Sequence, residues 1–103
     1  MIMEKNKPFA GTDLKYLLEI EAEGFSMQDN DFKIVIHTNR GNKEIKKEDM
    51  RLTEDEEFIF TVNTKELGAG EYILETIAYV PDDDFDSGIR TEVQKQLLCV
   101  VAS

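Results

Sequence analysis

Apolar and polar residues alternate with a period of two along most of the chain, and this pattern predicts β-strands rather than helices. Residues 12–23 place one set of apolar side chains on a single face: Leu14, Tyr16, Leu18, Ile20 and Ala22. Residues 31–39 repeat the pattern with Phe32, Ile34 and Ile36. Gly24 ends the first segment and residues 39–42 form a turn after the second, because Gly and Asn tolerate backbone angles that strands do not use.

Further segments continue the alternation and bring the predicted total to about seven strands. They are residues 43–47, 49–53, 57–63, 70–80 and 89–102. The first is rich in lysine, which is typical of a sheet edge, and in the second we expect Met50 and Leu52 to point inward. Residues 64–70 predict a tight connection with one helical turn. Short strands separated by turn signals favour a single antiparallel sandwich or barrel.

The most specific local signal is residues 67–72, with the sequence Leu-Gly-Ala-Gly-Glu-Tyr. This segment resembles the tyrosine corner of immunoglobulin-like sandwiches. The resemblance implies that Tyr72 is buried with its hydroxyl bonded to upstream backbone, after a turn that contains Gly70. Antibody domains carry a cysteine where Leu74 stands and a tryptophan two strands earlier, and this chain has neither. The resemblance covers residues 12–102 and points to the disulfide-free bacterial and phage branch of the fold.

The order of segments also resembles small immunoglobulin-like domains of phage baseplate and tail-fibre proteins. The chain opens with Gly-Thr-Asp-Leu at residues 11–14 and a long strand, followed by Phe-Ser-Met at 25–27 and Asp-Phe-Lys-Ile at 31–34. Such domains often close with a Gly-x-Tyr strand, an acidic loop and an arginine, as residues 70–72 to Arg90 do here. The resemblance implies a structural adaptor in a virion or a prophage-encoded particle.

The outward side of the last strands predicts an apolar patch. If Tyr72, Leu74 and Ala78 point inward, and Leu97, Cys99 and Val101 do the same, the residues between them point outward. The outward-facing set, which includes one residue of an adjacent strand, is Val35, Ile73, Ile77, Tyr79, Leu98 and Val100. Monomers seldom expose such a patch, so it predicts a protein–protein surface. Two alternatives stay open: residues 1–10 fold over the patch, or the register differs by one residue.

The net charge of the chain limits the classes of molecule that we expect it to bind. The chain has 103 residues, with 22 acidic and 12 basic side chains and a net charge of −10. This balance disfavours binding to nucleic acid or to an anionic membrane. Without an apolar run of ~18 residues or a signal peptide, we expect a cytoplasmic or particle-associated protein. The length allows one domain, which we assign to residues 11–103, after a flexible arm at residues 1–10.

The loop at residues 82–88 is the densest group of carboxylates in the sequence. Its alternate aspartates, Asp82, Asp84 and Asp86, could offer oxygen ligands to calcium. An EF-hand loop needs glycine at its sixth position and glutamate at its twelfth, where Ser87 and Val93 stand instead. The alternative is a solvated hairpin loop without a bound cation, so we expect no cofactor.

The single histidine and the single cysteine do not predict an enzyme. His37 faces away from the buried residues of its strand, and one histidine with one cysteine cannot complete a zinc site. Catalysis would require a pocket in which His37 meets a carboxylate or a hydroxyl, and we expect none. Cys99 lies in the apolar end of the last strand and is expected to be a core thiol.

The sequence therefore predicts an all-β protein, a single antiparallel immunoglobulin-like β-sandwich of about seven strands. Its expected role is a non-enzymatic structural module that packs through one apolar sheet face against a protein partner or another copy of itself. The alternative function is a calcium- or ligand-binding module that uses the loop at residues 82–86. An acidic mimic of DNA would need carboxylates aligned on one face, whereas here they are spread over several loops.

Overall fold

The structure is a computed structural model that describes residues 7–103, and in this part of the chain it forms two antiparallel β-sheets. The elements are the strands and two short helical turns: β1 (Asp13–Leu18), β2 (Phe32–Thr38), β3 (Gly41–Lys46), a 3₁₀ turn (Lys47–Asp49), β4 (Arg51–Leu52), β5 (Phe58–Asn63), α1 (Thr64–Leu67), β6 (Gly70–Pro81) and β7 (Ile89–Val101). The all-β class predicted from the sequence is confirmed.

One sheet has three strands in the order β1-β5-β4, and the other has four in the order β3-β2-β6-β7. The longest pairing is the β6–β7 hairpin, which runs from Gly70 opposite Val101 to Pro81 opposite Ile89. In the four-stranded sheet, β3 and β7 are the edges, so the predicted edge position of the lysine-rich strand β3 is confirmed.

The core lies between the two sheets and is built by the inward-facing residues of the strands, together with Ile20, Met50 and Leu67 from segments outside the strands. Its buried apolar side chains are Leu18, Ile20, Phe32, Ile34, Ile36, Met50, Phe58, Phe60, Val62, Leu67, Tyr72, Leu74, Ala78, Val80 and Val101. The rings of Phe32 and Phe58 meet edge to face across the two sheets, with centroids 5.1 Å apart. The period-two pattern of β2, β5 and β6 thus identified their buried faces.

The first strand is shorter than the sequence predicts. β1 ends at Leu18, opposite Phe58, where its partner strand β5 begins. A strand persists only as far as it has a hydrogen-bonding neighbour, and the chain beyond Leu18 has none in this sheet. Ile20 and Ala22 still pack against the core from a non-strand segment, so their predicted inward direction holds although the strand does not.

β4 also differs from its prediction, because only two of the five expected residues form a strand. Met50 is buried as predicted, whereas Leu52 is 54% exposed. Leu52 pairs with buried Phe58 and so lies on the inner side of its sheet. Leu52 stays exposed because β4 lies at one edge of the three-stranded sheet, beyond the area that packs on the core.

The connection between β5 and β6 contains one helical turn, as predicted. The side chain of Asn63 caps α1 by accepting a hydrogen bond from the Lys65 backbone N–H at 3.0 Å. The turn ends at Gly68, whose φ of 80° suits glycine. The hydroxyl of fully buried Tyr72 donates to the Gly68 carbonyl at 2.6 Å, which ties the start of β6 to the end of the turn.

The N-terminal boundary of the domain lies earlier than predicted. Phe9 forms a parallel bridge with Ala102. The Ala102 N–H donates to the Pro8 carbonyl at 2.7 Å, and the Ala10 N–H donates to the Ala102 carbonyl at 2.8 Å. Residues 8–10 are therefore held against the end of β7 and do not form a loose arm. Residues 1–6 of the predicted arm lie outside the described residues.

Candidate functional site

The face of the four-stranded sheet that points away from the three-stranded sheet, here called the outer face, carries five of the six residues predicted to form a patch. These are Val35 on β2, Ile73, Ile77 and Tyr79 on β6, and Val100 on β7, all half-buried. The register explains their shared direction, because each alternates with the buried residues of its own strand. The predicted register is correct for β2 and β6.

Leu98 is the exception, and its predicted outward direction is wrong. The pairing of β6 with β7 shifts between Tyr72, which faces Cys99, and Ile73, which faces Leu97. The extra residue of this β-bulge is Leu98, which packs against the core. The bulge also turns Leu97 outward, against the prediction, because one inserted residue reverses which side chains face each side.

The patch also includes three exposed residues of β7 that are absent from the set predicted from the sequence. Ile89, Val93 and Leu97 are 43%, 51% and 54% exposed. They pair with outward-facing residues of β6 and repeat every fourth position, so they share the outer face. We call the outward apolar residues of the two strands the apolar stripe: Ile73, Ile77, Tyr79, Ile89, Val93, Leu97 and Val100. Their four-residue spacing is visible in the sequence and could have identified them.

Before the bulge, the inner side of β7 is polar, so the apolar residues of this part of the strand lie on the outer face. Gln94 and Gln96 face the inner side but are exposed, since no strand of the second sheet covers them. The Gln94 side chain donates to the Glu21 carbonyl at 3.4 Å, and Arg90 Nη2 donates to the Glu23 carbonyl at 2.6 Å. β7 thus extends past the sandwich, over the segment that follows β1.

Polar side chains cross the outer face beside the apolar stripe. His37 Nε2 lies 2.6 Å from Glu75 Oε1, and His37 Nδ1 lies 2.9 Å from Asn42 Oδ1, so the contact spans β6, β2 and β3. Lys33 Nζ donates to Glu44 at 2.8 Å. That hydrogen bond raises the pKa of Lys33 and lowers the pKa of Glu44. The register brings Glu75 beside His37, whereas the expectation from the sequence concerned a pocket around such a contact.

The side chain of His37 in the His37–Glu75 pair is 32% exposed. A histidine oriented by a carboxylate is part of a general-base arrangement, which also needs a bound substrate within hydrogen-bond reach. His37 lines none of five surface cavities formed by the described residues. The largest measures about 530 Å³ and lies at the far end of the sandwich, near Lys47 and Phe58. The pair therefore forms a polar part of the outer face.

The acidic loop is organised around one of its carboxylates. Asp82 accepts a hydrogen bond from the Asp84 backbone N–H at 3.0 Å and pairs with Arg90 at 2.6 Å. The Asp84 N–H and the Arg90 guanidinium together lower the pKa of Asp82. Asp84 and Asp86 are exposed. Within residues 7–103, no three His, Cys, Asp or Glu side chains are arranged to hold a metal ion. The calcium site stays a prediction.

Two further residues considered in the sequence, Cys99 and Gly70, lie near Tyr72. Cys99 is half-buried, packs against the core and pairs with Tyr72 on the inner face. The phenol of Tyr16 lies next to Cys99. Its pKa is raised, mainly because the phenol is buried and secondly because of its contact with Cys99. Gly70 has a φ of 121°, and a Cβ there would collide with the Asn39 side chain. A substitution at Gly70 would therefore strain the turn that precedes Tyr72.

Comparison of the chain with protein-family models, curated proteins and solved structures found no match. In the described part of the chain, no helix has both the length and the apolar character needed to cross a bilayer. The candidate site is therefore defined by geometry alone: an exposed apolar stripe on the β6–β7 hairpin, bordered by the His37–Glu75 and Lys33–Glu44 contacts.

Proposed function

We propose that this protein is an immunoglobulin-like β-sandwich that acts as a non-enzymatic protein-interaction module through its outer face. The strand order supports the fold assignment. If β1 is taken as strand B of that fold, the two sheets read B-E-D and C′-C-F-G, the arrangement of an immunoglobulin-like Greek key without its first strand. Tyr72 then falls near the start of strand F, after the E–F turn, where the tyrosine corner belongs.

The observation that carries the proposed function is the exposure of the apolar stripe. Ile89, Val93 and Leu97 lie on one face of one strand, each between 43% and 54% exposed, beside the half-buried Ile73 and Ile77. Exposed apolar residues that cluster on one face, bordered by polar groups, mark surfaces that bind other proteins. Removal of this apolar area from water contributes about 25 cal/mol per Å² in favour of association, and the entropic cost of binding opposes it.

We place the module in a phage or prophage-type assembly, as an adaptor of the baseplate or tail. The support is the order of segments: the opening strand, the Gly-x-Tyr strand, the acidic loop and the arginine. The Asp82–Arg90 ion pair holds that loop against β7, so its carboxylates stay at one end of the hairpin, away from the middle of the apolar stripe. An adaptor of this type contributes contacts between proteins and no chemistry of its own.

Site-specific photo-cross-linking tests the proposed function without knowledge of the partner. A benzophenone amino acid is placed at position 77, in the middle of the apolar stripe, in cells that produce the protein. The matched control carries the same group at position 61, because Thr61 is exposed on the three-stranded sheet. We expect a discrete protein adduct from position 77 and none from position 61. Absence of an adduct at 77, or equal adducts at both positions, contradicts the proposal.

A further inference from the structure

The outer edge of β7 is long, apolar on one side and unpaired by any described strand. β7 has 13 residues and lies at the end of its sheet, with β6 as its one partner strand. Sheet edges of this kind are templates for pairing with another strand. Proteins commonly protect such edges with charged side chains or by keeping the edge strand short. β3, at the opposite edge, is protected in this way, since it has six residues including Lys43 and Lys46.

The backbone of β7 offers its free hydrogen-bonding groups at the outward-facing positions. The Asp82 N–H donates to the Gly88 carbonyl at 2.9 Å, so in the part of β7 before the bulge the even-numbered residues direct their N–H and C=O groups to β6. Odd-numbered residues direct theirs to the free edge. At Ile89 both groups contact the Ser87 hydroxyl instead of β6. Within residues 7–103 no backbone partner is seen for these groups at Thr91, Val93 or Lys95.

We propose that β7 pairs antiparallel with β7 of a second copy of this chain, about a two-fold axis at Val93. This inference rests on the proposed function, and it names the partner and the geometry. The straight part of β7, from its start to the bulge, is residues 89–97, and Val93 is its midpoint. Antiparallel pairing about the midpoint uses this whole segment and brings the unpaired groups of Thr91, Val93 and Lys95 together.

The sequence of this segment is complementary to itself in that register. On the outer face, Ile89 lies opposite Leu97 of the second copy and Val93 opposite Val93. Lys95 lies opposite Thr91, so no like charges meet. On the inner side, two polar pairs complete the set: Arg90 with Gln96, and Glu92 with Gln94. Cross-strand apolar pairs stabilise a sheet, whereas like charges directly opposite destabilise it.

Neighbouring registers lack this complementarity. An axis at residue 92 places Glu92 against itself, and an axis at 95 does the same with Lys95. An axis at 94 puts Val93 opposite Lys95, and an axis at 91 pairs only residues 89–93. Pairing about Val93 joins the two sheets into one and makes the two apolar stripes continuous across the axis. Residues 8–10 lie against Ala102, outside the paired segment.

Charge substitutions at the axis test the register, because residue 93 would face its own copy. We expect Val93→Lys and Val93→Glu each to weaken self-association about tenfold or more, through lost apolar contact and like-charge repulsion. An equimolar mixture of the two variants should recover a heterodimer, since Lys then faces Glu. Sedimentation velocity across a dilution series measures the masses, and circular dichroism establishes that each variant is folded.

The matched controls are Ile77→Lys and Ile77→Glu, on the same face but one strand further from the axis. Mixing these controls should give no charge-specific recovery. The inference is overturned if the wild type is monomeric at every concentration, or if the mixed Val93 variants associate no better than each alone. Adducts at position 77 would still support the proposed function in that case. Loss of those adducts, in contrast, would overturn the proposed function itself.

Discussion

Tyr72 ties the start of β6 to the end of the helical turn that precedes it. Its ring is fully buried, and its hydroxyl donates to the Gly68 carbonyl four residues earlier, at 2.6 Å. A buried hydroxyl without a partner is costly, so the bond and the buried position depend on each other. Burial also raises the pKa of the Tyr72 phenol, which keeps the hydroxyl protonated as a donor.

Removal of this hydroxyl should destabilise the fold. We expect Tyr72→Phe to lower the free energy of unfolding by about 1–2 kcal/mol, because the buried Gly68 carbonyl loses its donor. The control, Tyr79→Phe, removes a hydroxyl from the half-buried outer face of the same strand and should cost less than about 0.5 kcal/mol. Urea unfolding measures both, and equal losses would contradict the role given to Tyr72.

Asp82 makes the stability of the hairpin depend on pH. Its pKa is lowered, first by the hydrogen bond from the Asp84 N–H and then by Arg90. A carboxyl group with a lowered folded-state pKa stabilises the fold above its unfolded pKa of about 3.9. That stabilisation is lost as the pH falls through the lower, folded-state pKa.

Asp82→Asn should therefore be less stable than wild type at pH 7, and the difference should disappear in acid. We expect the two unfolding free energies to converge below about pH 4, where the wild-type carboxyl also becomes protonated. The control is Asp83→Asn, whose side chain is exposed in the same loop, and it should follow the wild type at every pH. A difference for Asp82→Asn that is constant from pH 7 to about pH 2.5 would contradict this account.

At the scale of elements, sequence reasoning identified strands whose alternation is uninterrupted. β2, β5 and β6 follow their predicted bounds closely, because each presents one continuous buried face to the core. β1 and β4 are shorter than predicted because a strand ends where its neighbour ends, and neighbours are not visible in a local pattern. The lengths of these two strands are determined by pairing between segments that are distant in the sequence.

The same limit explains the errors at the candidate site. The apolar run at the end of β7 was assigned to alternate faces, but the bulge beside Tyr72 changes the register within it. Leu98 therefore packs inward and Leu97 outward. The contact between His37 and Glu75 joins residues 38 positions apart in the chain. It follows from the β2–β6 register, which composition and spacing do not specify.

A pair of substitutions distinguishes the bulged register from the regular one. Leu98→Asp should destabilise the fold by about 2–3 kcal/mol, because it places a charge against the core. Leu97→Asp should change the free energy of unfolding by less than about 0.5 kcal/mol, because that side chain is 54% exposed. Denaturant unfolding measures both. The opposite ranking of the two variants would show that the strand follows the regular alternation.

At the scale of the whole molecule, charge and apolar surface act in opposite directions. A net charge of −10 makes two copies repel each other, whereas the apolar stripe favours burial. Salt screens the repulsion, since the Debye length falls to about 8 Å at 0.15 M ionic strength, while apolar burial is retained. Association through the apolar stripe is therefore expected at moderate salt and is weakened at low salt.

The central claim is that the free edge of β7, which carries the most exposed residues of the apolar stripe, pairs with β7 of a second copy of this chain. The most direct test is the solution mass by light scattering, across a dilution series at about 0.15 M salt. We predict that the wild type has twice the mass of one chain at high concentration. Leu97→Asp should remain a folded monomer. Equal masses for the two proteins at every concentration would contradict the claim.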